Sequence, residues 1–324
     1  MSWREDVFEV PSDGVVLRGI ITRPDTGSCD MAVILLPAGL KDRVGPHRLY
    51  VQLARQLVRP GVLVLRLDAE GIGESDGELD TAINATHYRR IQSGLFVNDT
   101  LAAMRALTAR EGVRRFVLGG LCGGAISAQL AAASAPAAVA GVLSLSHVAV
   151  LDEDQPASAR TRSEVVSNSR AYLRKLFSAH AWRRLLGGES EWRNIWHNIS
   201  GLWHLWLEKA GIGRRHWANE NPAFFSSFRQ LQQAGVAHLM LFGERDARWT
   251  AFRELVVDGF LGGAMQGKGY RIEVVGDANH EFYLRHWTQA VIDQSSDWLA
   301  ALTDLVMAVP GDAAWAVGSD KHPD

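Results

Sequence analysis

The sequence predicts an α/β fold, in which a mostly parallel sheet is covered on both faces by helices. Continuous apolar runs of buried-strand type recur along the chain, among them "MAVILLPAG" and "VLVLRLDAEG". Stretches with apolar residues at helical spacing alternate with these runs, and that alternation is typical of parallel sheets. The pattern stops near residue 150 and resumes near residue 236, so a helical insertion interrupts the domain.

The first part of the chain supplies most of the predicted elements. Two strand-like segments, "VFEV" and "VVLRGIITRP", are joined by the turn signal "PSDG". The run "MAVILLPAG" predicts a buried strand, and "HRLYVQLARQLVRPG" predicts a helix. A second buried strand, "VLVLRLDAEG", leads into a glycine-rich loop and a helix near "GLFVNDTLAAMRALTAR".

The remaining strands carry the positions of chemical interest. "RFVLGG" predicts a strand that runs into a glycine-rich turn and an alanine-rich helix, and "AVAGVLSLS" predicts the next strand. Beyond the insertion, "AHLMLFGERD" and "YRIEVVGDANHEF" predict strands ahead of a helix near "TQAVIDQSSDWLAALTDLV". Four segments follow from this pattern. Residues 1–150 and 236–309 form the core, residues 151–235 form a helical tryptophan-rich cap, and residues 310–324 form a flexible tail.

Composition narrows the class of protein. The 324 residues are 47% hydrophobic and 22% charged, with a net charge of −2, which is ordinary for a globular enzyme and favours neither nucleic acid nor an anionic membrane. Two cysteines, Cys29 and Cys122, make no disulfide framework and show no metal-ligand spacing. The polar N-terminus and the lack of long apolar runs predict a cytoplasmic protein without membrane insertion. We expect no metal and no cofactor.

Cys122 occupies the centre of the pattern "GLCGG", residues 120–124. The pattern G-x-nucleophile-x-G describes a nucleophile elbow, here with cysteine in place of the usual serine. Gly120 and Gly124 remove side chains that would clash at a sharp strand-to-helix turn, and Gly123 leaves its backbone N–H free. The sulfur lies at a helix N-terminus, whose dipole favours a thiolate. Taken alone, the pentapeptide is equally compatible with a small buried cysteine beside flexible glycines.

A nucleophile of this kind requires a histidine base and an acid that orients it. Asp246 follows the strand "LMLFG", and His280 lies in the loop after "IEVVG". The order of nucleophile, acid and histidine fits the elbow pattern, and both residues come after the carboxyl ends of strands, where α/β sites are built. An exposed loop histidine is the alternative for His280. Asp152, which follows the preceding strand, is the alternative acid.

Taken together, these residues resemble the α/β-hydrolase superfamily with a cysteine nucleophile, across nearly the whole chain apart from the cap and the tail. "LPAGLKDRVGPHRLYVQLARQL" followed by "VLRLDAEGIGESDGE" resembles a bacterial subgroup, the exosortase-system-associated hydrolases, which also tends to show "GLC" at the elbow. The resemblance implies an α/β-hydrolase fold with a helical cap. It also implies that the loop beginning at Asp68 is structural and not catalytic.

The loop after the third strand departs from the superfamily pattern, because "PAGL" stands where many members have His-Gly. We expect the oxyanion hole to combine the backbone N–H of Gly123 with that of Gly39 or Leu40, without a choice between the two. Arg43 and His47 follow in the same loop and are candidates for the substrate pocket. The alternative for both is a salt bridge within the loop together with a contact to the cap.

The predicted reaction is acyl transfer through a thioester on Cys122. A cysteine suits a thioester donor and suits transfer to an alcohol or amine as well as to water, so a thioesterase, an esterase and an acyltransferase all remain open. The substrate is a small-molecule acyl ester or thioester, with a carrier-protein-bound form left open. The oligomeric state is not fixed, and a homodimer is left open too.

The cap segment contains six tryptophans, which offer large apolar surfaces to a substrate or to the cap's own core. Trp182 and Trp217 are candidates for the pocket, and an apolar lid favours a bulky or apolar acyl group. Two other classes of function compete. A lyase or isomerase would use His280 as its general base, and a non-catalytic ligand-binding protein would use the fold without chemistry.

Overall fold

The computed structural model describes residues 2–79, 85–151 and 220–307 of the chain. The chain divides into two compact units, one formed by Met1–Asp152 and Asn221–Asp324 and the other by Glu153–Glu220. Almost all described residues belong to the first unit. Within them, no helix combines the length and the apolar character that crossing a membrane requires.

The described residues form one sheet of nine strands in the order β1-β2-β4-β3-β5-β6-β7-β9-β8. The six consecutive strands from β4 to β9 in that order run parallel, and antiparallel pairs occur only at the two edges. The predicted mostly parallel sheet is therefore confirmed. The strands are β1 (Trp3–Ser12), β2 (Val15–Pro24), β3 (Cys29–Leu36), β4 (Gly61–Leu67), β5 (Arg115–Leu121), β6 (Val139–Leu145), β7 (Ala237–Gly243), β8 (Gln266–Gly267) and β9 (Tyr270–Val275).

Helices cover both faces of this sheet. On one face α3, α4 and α5 contribute to a buried apolar cluster, and on the other α1 and α7 contribute to a second one. Strand β3 shows the reason, because its alternate residues enter opposite clusters: Ala32 and Ile34 face one, Met31 and Val33 the other. The helices are α1 (Leu49–Leu57), α2 (Ala85–Gln92), α3 (Val97–Glu111), α4 (Gly123–Ser134), α5 (Pro222–Ala234), α6 (Ala247–Phe252) and α7 (Arg285–Met307).

Helix α5 lies inside the segment 151–235 that the sequence assigns to the cap, yet it packs against α4 in the sheet domain. Asn221 caps the helix by accepting a hydrogen bond from the N–H of Ala223 at 3.0 Å. Its own backbone N–H donates to the carbonyl of Ala149 at 3.0 Å, which ties the start of the helix to the core. The cap itself stays a prediction for residues 152–219, and the tail for residues 308–324, since both lie outside the described residues.

Two histidines are completely buried beside each other, with the ring centroids of His147 and His238 5.8 Å apart. His147 pairs through Nε2 with the side-chain oxygen of Gln129 at 2.8 Å. His238 pairs through Nε2 with the hydroxyl of Ser144 at 2.8 Å. Burial lowers the pKa of both imidazoles, that of His238 to about 3, because no carboxylate among the described residues contacts either ring and stabilises a positive charge. Both histidines therefore remain neutral in the core at neutral pH.

Acidification is expected to destabilise the fold through His238. Its ordinary pKa of 6.5 falls to about 3 on folding, so the unfolded chain takes up the proton first, and the stabilisation present above pH 6.5 is lost as the pH falls. Between pH 7 and pH 4 this loss amounts to about 3 kcal/mol of unfolding free energy. Urea titrations at the two pH values should therefore show a smaller loss in His238→Gln than in the wild type.

His286→Gln serves as the control, because it removes an exposed histidine of α7 and should keep the wild-type loss. An equal dependence on pH in His238→Gln and the wild type would contradict the assignment.

Candidate active site

Cys122 forms the turn between β5 and α4 in a backbone conformation that few side chains adopt. Its φ of 56° and ψ of −110° lie outside the main allowed regions. Such strain persists where the surrounding structure enforces it, often at a functional site. The half-buried thiol lies at the N-terminus of the twelve-residue helix α4, where the backbone N–H groups and the helix dipole favour an anion.

The space around this turn excludes side chains at two glycines. A Cβ on Gly120 would lie 2.7 Å from the carbonyl carbon of Gly124. A Cβ on Gly124 would lie 2.6 Å from the carbonyl oxygen of Leu36 and 2.7 Å from that of Pro37. The steric role predicted for these two glycines is therefore confirmed. Their absence of side chains lets α4 approach the end of β3.

A buried tyrosine supports the strand that leads into the turn. The hydroxyl oxygen of Tyr50, on α1, accepts a hydrogen bond from the backbone N–H of Leu121 at 2.6 Å. Burial raises the pKa of Tyr50 far above its ordinary value, so the phenol stays neutral. The sequence does not predict this contact, because the helical spacing of "HRLYVQLARQL" identifies Tyr50 only as an apolar position.

Asp246 and His280 meet at the carboxyl ends of β7 and β9. The carboxylate of Asp246 accepts a hydrogen bond at Oδ1 from the N–H of Arg248 at 2.9 Å, which caps α6. Its Oδ2 lies 2.8 Å from Nδ1 of His280. The thiol of Cys122 lies close enough to His280 to raise the pKa of the imidazole. The structure thus brings Cys122, His280 and Asp246 together in one connected set.

The electrostatic environment of His280 and Asp246 differs from that of the buried histidine pair of the core. Burial by itself would lower the pKa of His280, but hydrogen bonds and charges from Asp246 and Cys122 outweigh it and raise the pKa to about 9. Burial by itself would raise the pKa of Asp246, but its hydrogen bond to His280, the charge of His280 and the N–H of Arg248 hold it below the ordinary value. The imidazole is therefore charged and the carboxylate ionised at neutral pH.

The backbones of Gly123 and Gly39 meet beside the Cys122 turn. A Cβ on Gly123 would lie 3.0 Å from both N and Cα of Gly39, so the two backbones nearly touch. Gly39 has a φ of 67°, the left-handed region in which glycine is unstrained. The structure brings these two predicted oxyanion residues together. Leu40 follows in the same turn, and its half-buried side chain packs on an apolar cluster that includes Ile91.

The chain resembles known proteins in sequence and in structure. The family model described as serine aminopeptidase, S33, matches residues 31–186. No curated protein shows significant similarity to the chain. The dienelactone hydrolase of Anabaena variabilis is 16% identical with a TM-score of 0.56, over 93% of this chain and 99% of that one. The protein has the α/β-hydrolase fold.

Two esterases of known structure resemble this chain to a similar degree. A cold-adapted esterase from an Arctic intertidal metagenomic library is 16% identical with a TM-score of 0.53, over 93% of this chain and 99% of that one. Est1E of Butyrivibrio proteoclasticus, solved with ferulic acid bound, is 15% identical with a TM-score of 0.52, over 92% and 99%.

Arg43 contacts acidic side chains of the loop that follows β4. Its guanidinium pairs with the fully buried Asp68 and, at 2.9 Å, with Glu74. Its backbone N–H donates to Asp68 Oδ1 at 2.6 Å. Asp68 thereby anchors the loop that carries Gly39 to the end of β4. The structure thus shows an ion pair between two loops at Arg43, and a place for this residue in the substrate pocket stays a prediction.

His47 lies next to the histidine loop of the α/β-hydrolase fold. Its Nε2 is 3.3 Å from Oε2 of Glu281, the residue that follows His280, and Lys41 pairs with the same carboxylate. Half of the His47 side chain is exposed, so it lies at the surface beside the candidate site. Trp182, Trp217 and Asp152 lie outside the described residues. Within the described stretches, no group of three or more His, Cys, Asp or Glu side chains is arranged to hold a metal ion.

Gly124→Ala is expected to destabilise the fold, because the added methyl group would overlap two carbonyl oxygens of the β3 end. Overpacking of this kind costs about 1–3 kcal/mol, which chemical denaturation measures. Gly276→Ala is the matched control, since a Cβ there would meet only one atom, at 4.0 Å. Equal stability of the two variants would show that the turn is less tightly packed than these distances indicate.

Proposed function

We propose that the protein is an acyl-transfer enzyme, a thioesterase, esterase or acyltransferase, that uses Cys122, His280 and Asp246 as a catalytic triad. The observation that carries the proposal is the strained Cys122 turn beside a histidine whose Nδ1 lies 2.8 Å from a carboxylate oxygen of Asp246. This sequence of nucleophile, base and orienting acid is the arrangement that activates a nucleophile in covalent acyl transfer.

The first half of the reaction forms a thioester on the enzyme. The thiol of Cys122 gives its proton to His280, whose pKa of about 9 lets the imidazole hold that proton as an imidazolium. The thiolate attacks the carbonyl carbon of the substrate, and the carbonyl oxygen becomes an oxyanion held by the backbone N–H groups of Gly123 and of Gly39 or Leu40. Collapse breaks the bond to the leaving thiol or alcohol, which takes the proton of His280.

The second half releases the acyl group. His280, now neutral, accepts a proton from water, an alcohol or an amine as that acceptor attacks the thioester carbon. The second oxyanion collapses, the carbon–sulfur bond breaks, and Cys122 leaves as a thiolate beside the imidazolium. Asp246 keeps Nδ1 of His280 protonated and directed at itself, so Nε2 faces the reacting groups in both halves.

The surroundings of the thiol favour an apolar acyl group. A Cβ on Gly123 would lie 3.2 Å from Cγ2 of Ile91, and a Cβ on Gly39 would lie 3.2 Å from Cε1 of Tyr88. Both side chains belong to α2 and flank the proposed oxyanion site with apolar atoms. We propose a thioester donor, because exchange of sulfur for sulfur has little thermodynamic cost, and a carrier-bound thioester supplies the same chemistry. The tryptophan-rich segment, proposed as an apolar lid, lies outside the described residues.

The similar proteins are compatible with this chemistry at the level of reaction class. The structural relatives reported above include two esterases and a dienelactone hydrolase. The matching family model describes a serine aminopeptidase. All of these names denote hydrolysis of carboxylic acid derivatives, although the identity of 15–16% to the three structures carries the fold and not the substrate.

Incubation with acyl thioesters of short and long chain length should leave an acyl adduct on the wild-type protein, detected by intact-protein mass spectrometry. Cys122→Ala should lose the adduct, because the attacking sulfur is gone. Cys29→Ala provides the control, since it removes the other cysteine, a buried residue of β3 whose pKa is raised by burial. That variant should keep the adduct.

The remaining outcomes distinguish the competing functions. Turnover without an adduct that persists in Cys122→Ala would favour a lyase or isomerase with His280 as the base. Adducts confined to acetyl donors would contradict the preference for a bulky acyl group. The absence of both adduct and turnover with every donor would leave the ligand-binding function in place of catalysis.

Asp246→Asn should slow acylation by at least about 100-fold, because the amide lacks the charge that stabilises imidazolium and permits the wrong tautomer. Single-turnover kinetics with a thioester that acylates the wild type measure the rate. Asp277→Asn is the matched control, as this exposed carboxylate is three residues from His280 but pairs with Arg245. Equal rates in the two variants would remove Asp246 from the triad.

A further inference from the structure

A serine at the carboxyl end of β6 contacts the loop that carries the histidine of the candidate triad. Ser146 is completely buried and directly follows Leu145, the last residue of the strand. Its backbone N–H donates to the carbonyl of Leu241, on β7, at 2.8 Å. The residue is thereby fixed between the strand that precedes it and the strand that leads to Asp246.

The hydroxyl of Ser146 binds the histidine loop. Its Oγ donates to the backbone carbonyl of His280 at 3.1 Å. Through its hydroxyl and its backbone N–H, Ser146 thus joins the histidine loop to β7, the strand that leads to Asp246. Asp246 itself is bound through its two oxygens to Arg248 N and His280 Nδ1.

We propose that Ser146 is a positioning residue that keeps His280 and Asp246 at the separation required for catalysis. The inference rests on the proposed function, since it assigns Ser146 to the same triad. Neither His280 nor Asp246 belongs to a rigid element at its own position: each lies in a loop after its strand, and Asp246 caps only the short helix α6. A buried residue that binds β7 through its N–H and the histidine loop through its hydroxyl restrains the movement of His280 relative to Asp246.

Backbone conformation supports a role beyond packing. Ser146 has a φ of 45°, in the left-handed region that costs free energy for residues other than glycine. Glycine would remove the strain but would also remove the hydroxyl. The strained serine is therefore explained if the hydroxyl has a function that glycine cannot supply.

Ser146→Ala and Ser146→Gly test the proposal, with Ser144→Ala as the matched control. Ser144 lies two residues earlier on β6, is equally buried, and uses its hydroxyl on His238 and not on the triad. Both Ser146 variants should acylate from a thioester about 10- to 100-fold more slowly than the wild type, because small displacements of catalytic groups carry such penalties. Ser144→Ala should keep the wild-type acylation rate.

The glycine variant keeps the test decisive even if Ser146→Ala folds poorly, because glycine adopts the observed backbone conformation without strain. Wild-type acylation by Ser146→Gly would overturn the proposal. A loss of rate in Ser144→Ala as large as in the Ser146 variants would also overturn it, since general weakening of β6 would then be the cause.

A second measurement follows the restraint itself. The proton shared by His280 Nδ1 and Asp246 should give a downfield NMR signal in the wild type that His280→Asn abolishes. It should broaden in Ser146→Gly through faster solvent exchange and persist in Ser144→Ala; an unchanged signal in Ser146→Gly would contradict the restraint. Failure of the wild type itself to acylate would refute the proposed function instead, while this signal would still report on Ser146.

Discussion

The close crossing of backbones at the Cys122 turn is the constraint on which the rest of the site depends. Gly120 and Gly124 nearly touch, and Gly124 also touches the carbonyl oxygens at the end of β3. Because neither glycine carries a side chain, the start of α4 can approach the sheet this closely. The same approach places Gly123, the residue after Cys122 at the start of α4, against the backbone of Gly39.

Electrostatics at the site follow from which groups accompany each histidine into the interior. His147 and His238 are buried without a carboxylate, and burial lowers the pKa of both. His280 is also partly buried, yet its pKa rises because Asp246 and Cys122 surround it. A buried charge is costly unless it is paired and hydrogen-bonded. Asp246 meets that condition through the N–H of Arg248, so the charged pair can persist beside an apolar core.

Loops carry most of the candidate site, and buried polar contacts hold them in place. Asp68 binds both the backbone and the guanidinium of Arg43 and so anchors the loop of Gly39. In our proposal Ser146 performs the corresponding task for the loop of His280, whose backbone carbonyl accepts the Ser146 hydroxyl. Such side chains need no contact with substrate, because a catalytic group is effective only while its supports keep it in place.

The sequence by itself determined the alternation of strands and helices, the glycine-flanked turn at Cys122 and the chain order of nucleophile, Asp246 and His280. These features follow from hydrophobic periodicity and from local steric limits, which neighbouring residues set among themselves. Only the tertiary structure decided that Asp246 contacts His280, that Arg43 is bound to Asp68, and that Ser146 binds the backbone carbonyl of His280. Those contacts join residues distant in sequence, and their partners depend on the paths of loops, which local pattern does not encode.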